Sequence, residues 1–587
     1  MNYSQYPEKL LQGYAPTEGL NQGTPRILSV EEFSAVPLNE EASMWAGAVA
    51  ASAGTDTLTS FVSVSGRFGE GDEAEFYIYL PPKELWKGRF FQRAHPFLGL
   101  EAVREDLEFY ADSGAYTITV QKGLLGHVAH ASAAHVSRTV AKNFYGYEGK
   151  IYGYLYGGSG GSMQSIGALE VSTGSVWDGV IPFITAASAS LGNFDIRWFA
   201  RAVLDEKGPL IADAVRAGGR GDPYAELNEL ERDILDEVTK LGLSLKAWGN
   251  YEYLFMLYNR PDLIEGLNSV GELSAEYTEA FWNEPGYLEA YAPELRKVFY
   301  NLRERGVSAG ALAKISYHRH KDPGSTYLTW DHLRDSDGNP LYAQTEGEHY
   351  AKTSSFMTSG GSNWSGKINH KCIVVTNLMD LDAFPVDGDY YRRRVDESGR
   401  SGDFRIWLNE NADHHGAHDA FFTYLNYRLV DYSGIISQAL LDLSAWVENG
   451  TEPPVSTVYE VAGSQIVLEE NAAMRGGIQP GVCLTADGFA CSHVTKGQSV
   501  SLSAKIRVPK GTGEIAGAEW DFLGNGNFTA ANFDLQSDGS WAANASHTYD
   551  EAGTYFPQIR VYSLRCTRNN SPFTRAYNLG RARVVVK

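Results

Sequence analysis

The chain has 587 residues, of which 43% are hydrophobic and 21% charged, and its formal net charge is −22. This length predicts roughly two to four domains, and the residue balance is that of a globular protein rather than a disordered or fibrous one. So acidic a surface repels nucleic-acid phosphates and anionic membranes, so neither is an expected partner. The sequence contains no run of 18 apolar residues that would cross a membrane, and its first twenty residues lack the pattern of a signal peptide.

The first third of the chain predicts a series of short strands. Residues 1 to about 55 are only weakly periodic, but from residue 61 β-prone runs alternate with glycine and proline. The predicted strands are 61–68, 75–80, 89–92, 115–120, 150–156 and 178–184. A helix is expected over 162–170, directly after the glycine-rich segment that follows the fifth of these strands.

The middle of the chain predicts mainly helices. The region 187–365 is rich in tryptophan and tyrosine and shows no β alternation. Apolar residues recur there every three or four positions from Leu227 to Leu241, which is typical of an amphipathic helix, and 289–305 is similar. Strands return at 371–377 and 404–409, and a helix with Leu440 and Trp446 on its apolar face is expected to end at Gly450.

The tail after about residue 456 has the composition of a small all-β domain. Alternating runs at 500–506, 555–561 and 582–586 predict strands of a β-sandwich. Of the four cysteines, Cys372 is predicted to be a buried thiol in a strand. One disulfide among Cys483, Cys491 and Cys566 would suit an oxidising compartment, and the spacing leaves the pairing open.

The segment Gly157-Gly158-Ser159-Gly160-Gly161 matches the G-x-S-x-G pattern of a nucleophilic serine. Such a serine stands on a sharp turn between a strand and a helix, where neighbouring side chains larger than glycine would collide. A plain glycine–serine loop is the alternative interpretation. The predicted strand before the segment and the predicted helix after it favour the nucleophile.

A serine nucleophile needs a histidine base and a carboxylate that orients the base. The strand 371–377 is followed by Asp380 and Asp382, and the strand 404–409 is followed by His414 and His415. This order of serine, aspartate and histidine is that of α/β hydrolases, and we predict the triad Ser159, Asp380 and His414. A capping role for the aspartates remains an alternative.

Two metal sites are weaker alternatives. His415, His418 and Asp419 have a plausible ligand spacing, but the serine site explains their location better. The segment containing Asp335, Asp337 and Asn339 has oxygen ligands of the kind calcium takes, although a turn is the favoured interpretation. We therefore predict no metal and no cofactor.

Three short motifs resemble the tannase and feruloyl esterase family. They are 86–92 (WKGRFFQ), the turn at 157–161 and 446–453 (WVENGTEP), and the resemblance spans roughly 60–455. It implies an α/β-hydrolase core interrupted by a large lid. It also favours Asp380 over Asp382, because the family places its acid five residues before a proline, here Pro385.

This sequence departs from the family at two places. Gly158 and His415 stand where the family has a pair of cysteines, so the family's disulfide would be absent. The family's glycine-rich oxyanion loop is replaced by 93–97 (RAHPF). The predicted oxyanion donors are the N–H of Gly160 and one N–H near Ala94 or His95.

The predicted fold class is therefore α/β: an α/β-hydrolase core with a mainly helical lid insertion and a C-terminal all-β sandwich. The predicted parts are 1–186 (core, with an N-terminal extension), 187–365 (lid), 366–455 (core), 456–480 (linker) and 481–587 (sandwich). The sandwich resembles a PKD-type module through 520–526, 547–549 and 553–555. Such modules accompany exported hydrolases, so a secreted or periplasmic location is expected by analogy, with the cytoplasm as the alternative.

The predicted function is hydrolysis of a small-molecule carboxylic ester, aromatic or bulky, through an acyl-enzyme intermediate. Amide or lactone hydrolysis and acyl transfer use the same triad and remain alternatives, and a binding protein on a hydrolase scaffold is a further one. Side chains predicted to line the substrate pocket are Arg93, Trp198, Trp248, Tyr251, Tyr253 and Trp282, with packing in the lid core as the competing interpretation of each aromatic residue. No sequence feature indicates an oligomeric state.

Overall fold

In this computed structural model a nine-stranded mixed sheet forms the centre of the protein. Its strands are β1 (Pro25–Phe33), β2 (Phe61–Phe68), β3 (Glu75–Leu80), β4 (Arg89–Ala94), β5 (Ala115–Lys122), β6 (Tyr152–Ser159), β7 (Gly179–Thr185), β8 (Lys371–Asn377) and β9 (Phe404–Asn409). The structure describes residues 6–17, 19–20, 23–33, 59–69, 75–94, 104–122, 127–171, 176–186, 191–256, 275–319, 364–414, 427–469, 471–565 and 571–587.

The strand order from edge to edge is β1-β2-β3-β5-β4-β6-β7-β8-β9. The neighbours β1, β2, β3 and β5 are antiparallel, whereas every pair from β5 through β4 to β9 is parallel. Because parallel strands run in the same direction, their carboxyl ends lie along one side of the sheet. The segments that follow β4, β6, β8 and β9 therefore lie on that side, which is the sheet edge meant below. The strands predicted at 61–68, 75–80, 371–377 and 404–409 are confirmed with the same bounds.

Helices cover both faces of this sheet. The α-helices of the described residues are α1 (Arg104–Ser113), α2 (His127–Tyr145), α3 (Gly160–Glu170), α4 (Leu191–Leu204), α5 (Gly208–Val215), α6 (Glu229–Lys240), α7 (Tyr251–Met256), α8 (Ala275–Asn283), α9 (Pro293–Glu304), α10 (Ala309–His318), α11 (Pro385–Glu397), α12 (Ser433–Asn449) and α13 (Ala472–Arg475). Apolar residues of α2, α3 and α11 pack on one face, and those of α1 and α12 on the other. Helix α12 ends as predicted at Gly450, whose φ of 72° is the left-handed conformation that glycine adopts readily.

Helices α4 to α10, the helical segment, form a separate hydrophobic core. The predicted amphipathic helix is α6, and it begins with a capping box in which the side chains of Asn228 and Glu231 each accept the other's backbone N–H. The helix expected over 289–305 begins later, at Pro293, because proline fits the first turn of a helix.

The span predicted as a linker, 456–480, contains regular structure. It carries the hairpin of β10 (Tyr459–Ala462) and β11 (Gln465–Leu468), followed by α13. The Gln465 amide donates to the carbonyls of Thr239 and Leu243 and accepts the Leu245 N–H, at 2.8 to 3.1 Å. The hairpin therefore ties the helical segment to the rest of the chain.

The remaining strands form three small sheets, ordered β12-β14-β18-β17, β13-β22-β19 and β16-β15-β20-β21. They are β12 (Gly481–Ala486), β13 (Cys491–Val494), β14 (Ser499–Arg507), β15 (Glu514–Asp521), β16 (Thr529–Ala530), β17 (Asp534–Leu535), β18 (Trp541–Thr548), β19 (Gly553–Tyr555), β20 (Gln558–Leu564), β21 (Ala576–Arg581) and β22 (Arg583–Val586). These C-terminal strands do not stand apart from the core. Phe573, Ala576 and Leu579 are buried in the same apolar cluster as Leu440 and Trp446 of α12.

Cys483 and Cys491 have free thiols, so neither forms the expected disulfide. They lie on β12 and β13, which belong to different sheets, and Cys566 lies outside the described residues. Cys372 is a buried thiol in β8, as predicted. Within the described ranges, every helix is too short or too polar to span a bilayer.

Candidate active site

Ser159 occupies a strained turn between β6 and α3. Its φ of 54° and ψ of −122° lie in a region that residues other than glycine rarely adopt. The Ser162 hydroxyl donates to the Ser159 carbonyl at 2.6 Å and accepts the Ala186 N–H at 2.9 Å. Ser162 thus ties the turn to the end of β7 and holds the serine at the edge of the sheet.

The glycines before Ser159 are required by close contacts. A Cβ added at Gly157 would lie 2.5 Å from the carbonyl oxygen of Gly161 and 2.9 Å from that of Ala94. A Cβ added at Gly158 would lie 2.3 Å from the Phe183 ring. The Phe183 ring therefore fills the space that a side chain at residue 158 would need.

Asp380 and His414 contact each other directly. The His414 Nδ1 atom lies 3.0 Å from both carboxylate oxygens of Asp380, which is fully buried. The same carboxylate accepts the backbone N–H groups of Asp382 and Ala383 at 2.9 and 2.8 Å. When Nδ1 donates to a carboxylate, the proton is absent from Nε2 in the neutral ring, and Nε2 can accept a proton.

Three residues that the sequence did not suggest hold the loop before His414. Asn377 ends β8, and its amide donates to the Asp413 carbonyl at 2.7 Å. Asn409 ends β9 and donates to the Asn377 side-chain oxygen at 3.0 Å. The Tyr432 hydroxyl donates to the His414 carbonyl at 2.9 Å, and burial raises the pKa of this phenol, so it remains a donor. The one available signal was that both predicted strands end in asparagine.

Ser159 is the last residue of β6, and Asp380 and His414 follow the carboxyl ends of β8 and β9. These strands are linked by parallel pairing through β7. A small apolar cluster of Met163, Ala186 and Ala383 also connects α3 to the segment after Asp380. The sheet thus brings the three predicted triad residues to one edge.

Asp382, the alternative acid, has a different partner. Its carboxylate pairs with the buried Arg197 of α4, and its carbonyl accepts the Asn193 amide at 2.8 Å. Arg197 also donates to the Leu254 carbonyl at 3.0 Å. Asp382 therefore anchors the helical segment, while Asp380 contacts the histidine.

The predicted oxyanion donors lie close to Ser159 where they are described. Gly160 is the first residue of α3, and the N–H groups of a helix's first turn have no partner within the helix. Ala94 ends β4, where it pairs with Gly157, and is buried. Arg93 is half-buried, with its Nη1 atom 4.0 Å from Asp106. His95 lies outside the described residues.

The predicted aromatic pocket residues pack within the helical segment. Trp248 is fully buried in its core, and Trp198, Tyr251 and Trp282 pack partly buried against it. The Trp282 indole donates to the Ala309 carbonyl at 3.1 Å. The side chains of Tyr253, Asp335, Asp337, Asn339, His415, His418 and Asp419 lie outside the described residues.

A serine on a strand-to-helix turn at the edge of a largely parallel sheet, with helices on both faces, is the arrangement of α/β hydrolases. We therefore describe the fold as α/β-hydrolase-like. No family model and no curated protein sequence matches the chain.

Several solved structures are similar to this chain at low identity. Feruloyl esterase B from Aspergillus oryzae is 14% identical, with a TM-score of 0.39 over 78% of this chain and 92% of its own. Tannin acyl hydrolase from Aspergillus niger is 12% identical, with a TM-score of 0.38 over 79% and 89%. Candida antarctica lipase A in its closed state is 10% identical, with a TM-score of 0.32 over 75% and 85%. At these TM-scores the similarities identify neither substrate nor activity.

Proposed function

We propose that this protein is a serine hydrolase that cleaves carboxylic esters of small molecules with Ser159, His414 and Asp380. The observation that carries the proposal is the Asp380–His414 contact, on the same sheet edge as a serine held at a φ of 54°. The sequence resemblance to tannases and feruloyl esterases favours an ester over an amide, a lactone or acyl transfer to an alcohol.

In the proposed mechanism His414 Nε2 takes the proton from the Ser159 hydroxyl as the serine oxygen attacks the ester carbonyl. Asp380 holds the imidazole through Nδ1 and stabilises the imidazolium. The tetrahedral intermediate collapses when His414 returns the proton to the leaving alcohol, which gives an acyl-enzyme. Water then repeats the sequence, releases the acid and restores the serine.

The oxyanion of each intermediate would be held by the N–H of Gly160 at the start of α3. Helix amino ends favour negative charge, and one such donor is worth about 3 kcal/mol of barrier. A second N–H would come from the segment after β4, where the described strand ends at Ala94 beside Gly157.

The proposal includes the helical segment as a lid over this edge. The buried contact between Arg197 and Asp382 attaches α4 to the segment of the proposed acid, since Asp382 is two positions after Asp380. The segment would therefore shape the acyl or alcohol side of the pocket, and a bulky or aromatic ester is the proposed substrate class. The C-terminal strands are proposed to form a PKD-like sandwich.

The first test is labelling with a fluorophosphonate probe and turnover of p-nitrophenyl esters. We expect wild type to be labelled and active, and Ser159→Ala to lose both. Ser165→Ala is the matched control, because Ser165 lies on α3, the helix that follows Ser159, and its hydroxyl donates to the Gly161 carbonyl at 2.8 Å. Labelling or turnover that persists in Ser159→Ala would exclude this serine as the nucleophile.

The choice of acid is tested by comparing Asp380→Asn with Asp382→Asn. Asp380→Asn should lower kcat by about 10⁴-fold, since the amide NH2 group can donate to Nδ1 and so favours the wrong tautomer of the histidine. Asp382→Asn should lower stability while the folded fraction keeps most of its turnover. The reverse pattern would assign the acid role to Asp382.

A further inference from the structure

A cavity of about 300 Å³ lies where three parts of the chain meet. Its walls come from the helical segment, from the loops that lead to Asp380 and His414, and from the C-terminal strands. Ser159, Asp380 and His414 do not line it. The cavity thus adjoins the proposed catalytic loops without being part of the proposed active site.

The described lining of this cavity is strongly cationic. Arg216, Lys246, Arg428 and Arg581 line it, and Glu410 is the one carboxylate among the lining residues that the structure describes. The whole chain carries a net charge of −22, so this concentration of positive charge is opposite in sign to the protein as a whole. Cationic clefts with low-dielectric walls attract and concentrate anions.

The nearby carboxylates are already shared between cations. Glu252 accepts from Arg216 at 3.2 and 3.3 Å and from Arg428 at 3.2 Å. Glu410 pairs with Arg475 at 2.7 Å and with Lys246 at 3.6 Å. Two carboxylates are thus shared among four cationic side chains, and Arg581 adds a fifth positive charge.

Arg581 has no carboxylate within 4.0 Å among the described residues. Its Nε donates to the Gln558 side-chain oxygen at 2.9 Å, and its Nη2 donates to the Arg428 carbonyl. Gln558 stands between Arg581 and the Asp521 carboxylate, because its amide NH2 group donates to Asp521 at 2.8 Å. Three backbone N–H groups also donate to Asp521. Burial and then the charge of Arg428 lower the pKa of Arg581 to about 10, as expected where like charges lack an anion.

We propose that this cavity binds a small polyanion carrying phosphate or carboxylate groups, with Arg581 as its central contact and Arg216 and Arg428 beside it. Guanidinium groups match both anions because their paired N–H donors fit two oxygens at once. The cavity volume is at the lower end of small-molecule sites, which suits a compact ligand rather than a polymer.

The test is calorimetric titration of the full-length wild type with inorganic phosphate and, separately, with citrate, at constant ionic strength set by sodium chloride. We expect saturable binding at one site and a matching rise in Tm. Arg581→Gln should weaken binding by at least about ten-fold, because a charge-assisted contact is lost. Lys246→Gln should cause a smaller loss, and because the Lys246 side chain is 57% exposed, this variant keeps the test informative if Arg581→Gln does not fold.

The matched control is Arg507→Gln, because Arg507 lies on β14 in an exposed pair with Asp538, away from the cavity lining. This variant should bind the anions like wild type. Binding of phosphate alone assigns the site to phosphate compounds, and binding of citrate alone assigns it to polycarboxylates. No saturable binding of either, or equal binding by wild type and both cavity variants, overturns the proposal. Ser159→Ala should bind normally, so the result is independent of the proposed catalysis.

Discussion

Residues of the C-terminal strands hold the loop that carries His414, so the contribution of these contacts to activity can be tested by mutation. Asn411, three residues before the histidine, has a φ of 54°. Its side-chain amide donates to the Asn578 side-chain oxygen at 2.9 Å and to the Leu579 carbonyl at 3.1 Å. The perturbation we choose is Asn578→Ala, which removes the first of these acceptors.

The expected cost follows from the contacts of Asn578, which is buried. Besides accepting from Asn411, its side chain donates to the Pro480 carbonyl at 2.7 Å and accepts the Leu579 N–H at 2.8 Å. Losing three hydrogen bonds, with buried partners left unsatisfied, should lower the free energy of unfolding by about 3 kcal/mol. With one of its two acceptors lost, Asn411 holds the His414 loop less firmly, and a displacement of about 1 Å at a catalytic group costs up to about 100-fold in rate.

The assay is kcat and KM for a p-nitrophenyl ester, measured well below Tm, together with urea unfolding. We expect Asn578→Ala to lower kcat by about ten- to a hundred-fold with little change in KM. The matched control is Asn544→Ala, because Asn544 lies on β18 and accepts a hydrogen bond from Ser503 at an exposed position. If Asn578→Ala loses stability but its folded fraction keeps the wild-type kcat, the link from the C-terminal strands to the histidine is refuted.

Three further predictions concern stability. Gly158→Ala should lower the free energy of unfolding by about 1 to 3 kcal/mol, because the added Cβ would lie 2.3 Å from the Phe183 ring. An unchanged urea concentration at the unfolding midpoint would contradict this packing. Arg197→Met should cost about 3 to 5 kcal/mol by leaving Asp382 buried and unpaired, and adding Asp382→Leu should restore most of the loss. Burial raises the pKa of Asp442 to about 6, above its unfolded value, so charging it lowers stability as the pH rises from about 4 to about 6. Asp442→Asn should therefore gain about 1 to 3 kcal/mol over wild type at pH 8 and nothing at pH 4, and an equal difference at both pH values would refute the shift.

Within the central sheet, the sequence predicted the strands that carry a strong pattern and missed β1, which does not. β8 reads as an apolar run because helices cover both faces of the sheet there, and its predicted bounds are confirmed. β1 (Pro25–Phe33) falls in the region that was expected to be weakly periodic. It lies at the sheet edge, and only Pro25 and Val30 in it are buried, so there is little alternation to detect.

The predicted triad residues lie on one side of the sheet because β6, β8 and β9 run in the same direction, so that their carboxyl ends lie together. The catalytic role of these residues stays a prediction. The supporting residues were not predictable in the same way. Asn377 and Tyr432 act on backbone carbonyls of other loops, and a carbonyl leaves no trace in the sequence. The partners Asn411 and Asn578 are 167 positions apart. Only the assembled fold shows that these residues meet.

The contact between Asn411 and Asn578 also has a consequence for synthesis of the chain. All three proposed catalytic residues leave the ribosome well before Asn578 does. At about 5 to 20 residues per second, the 167 positions between the two asparagines take roughly 10 to 30 seconds to translate. During that interval the His414 loop lacks its C-terminal support, so a nascent chain should fold its sheet first and gain full activity only when its last strands arrive.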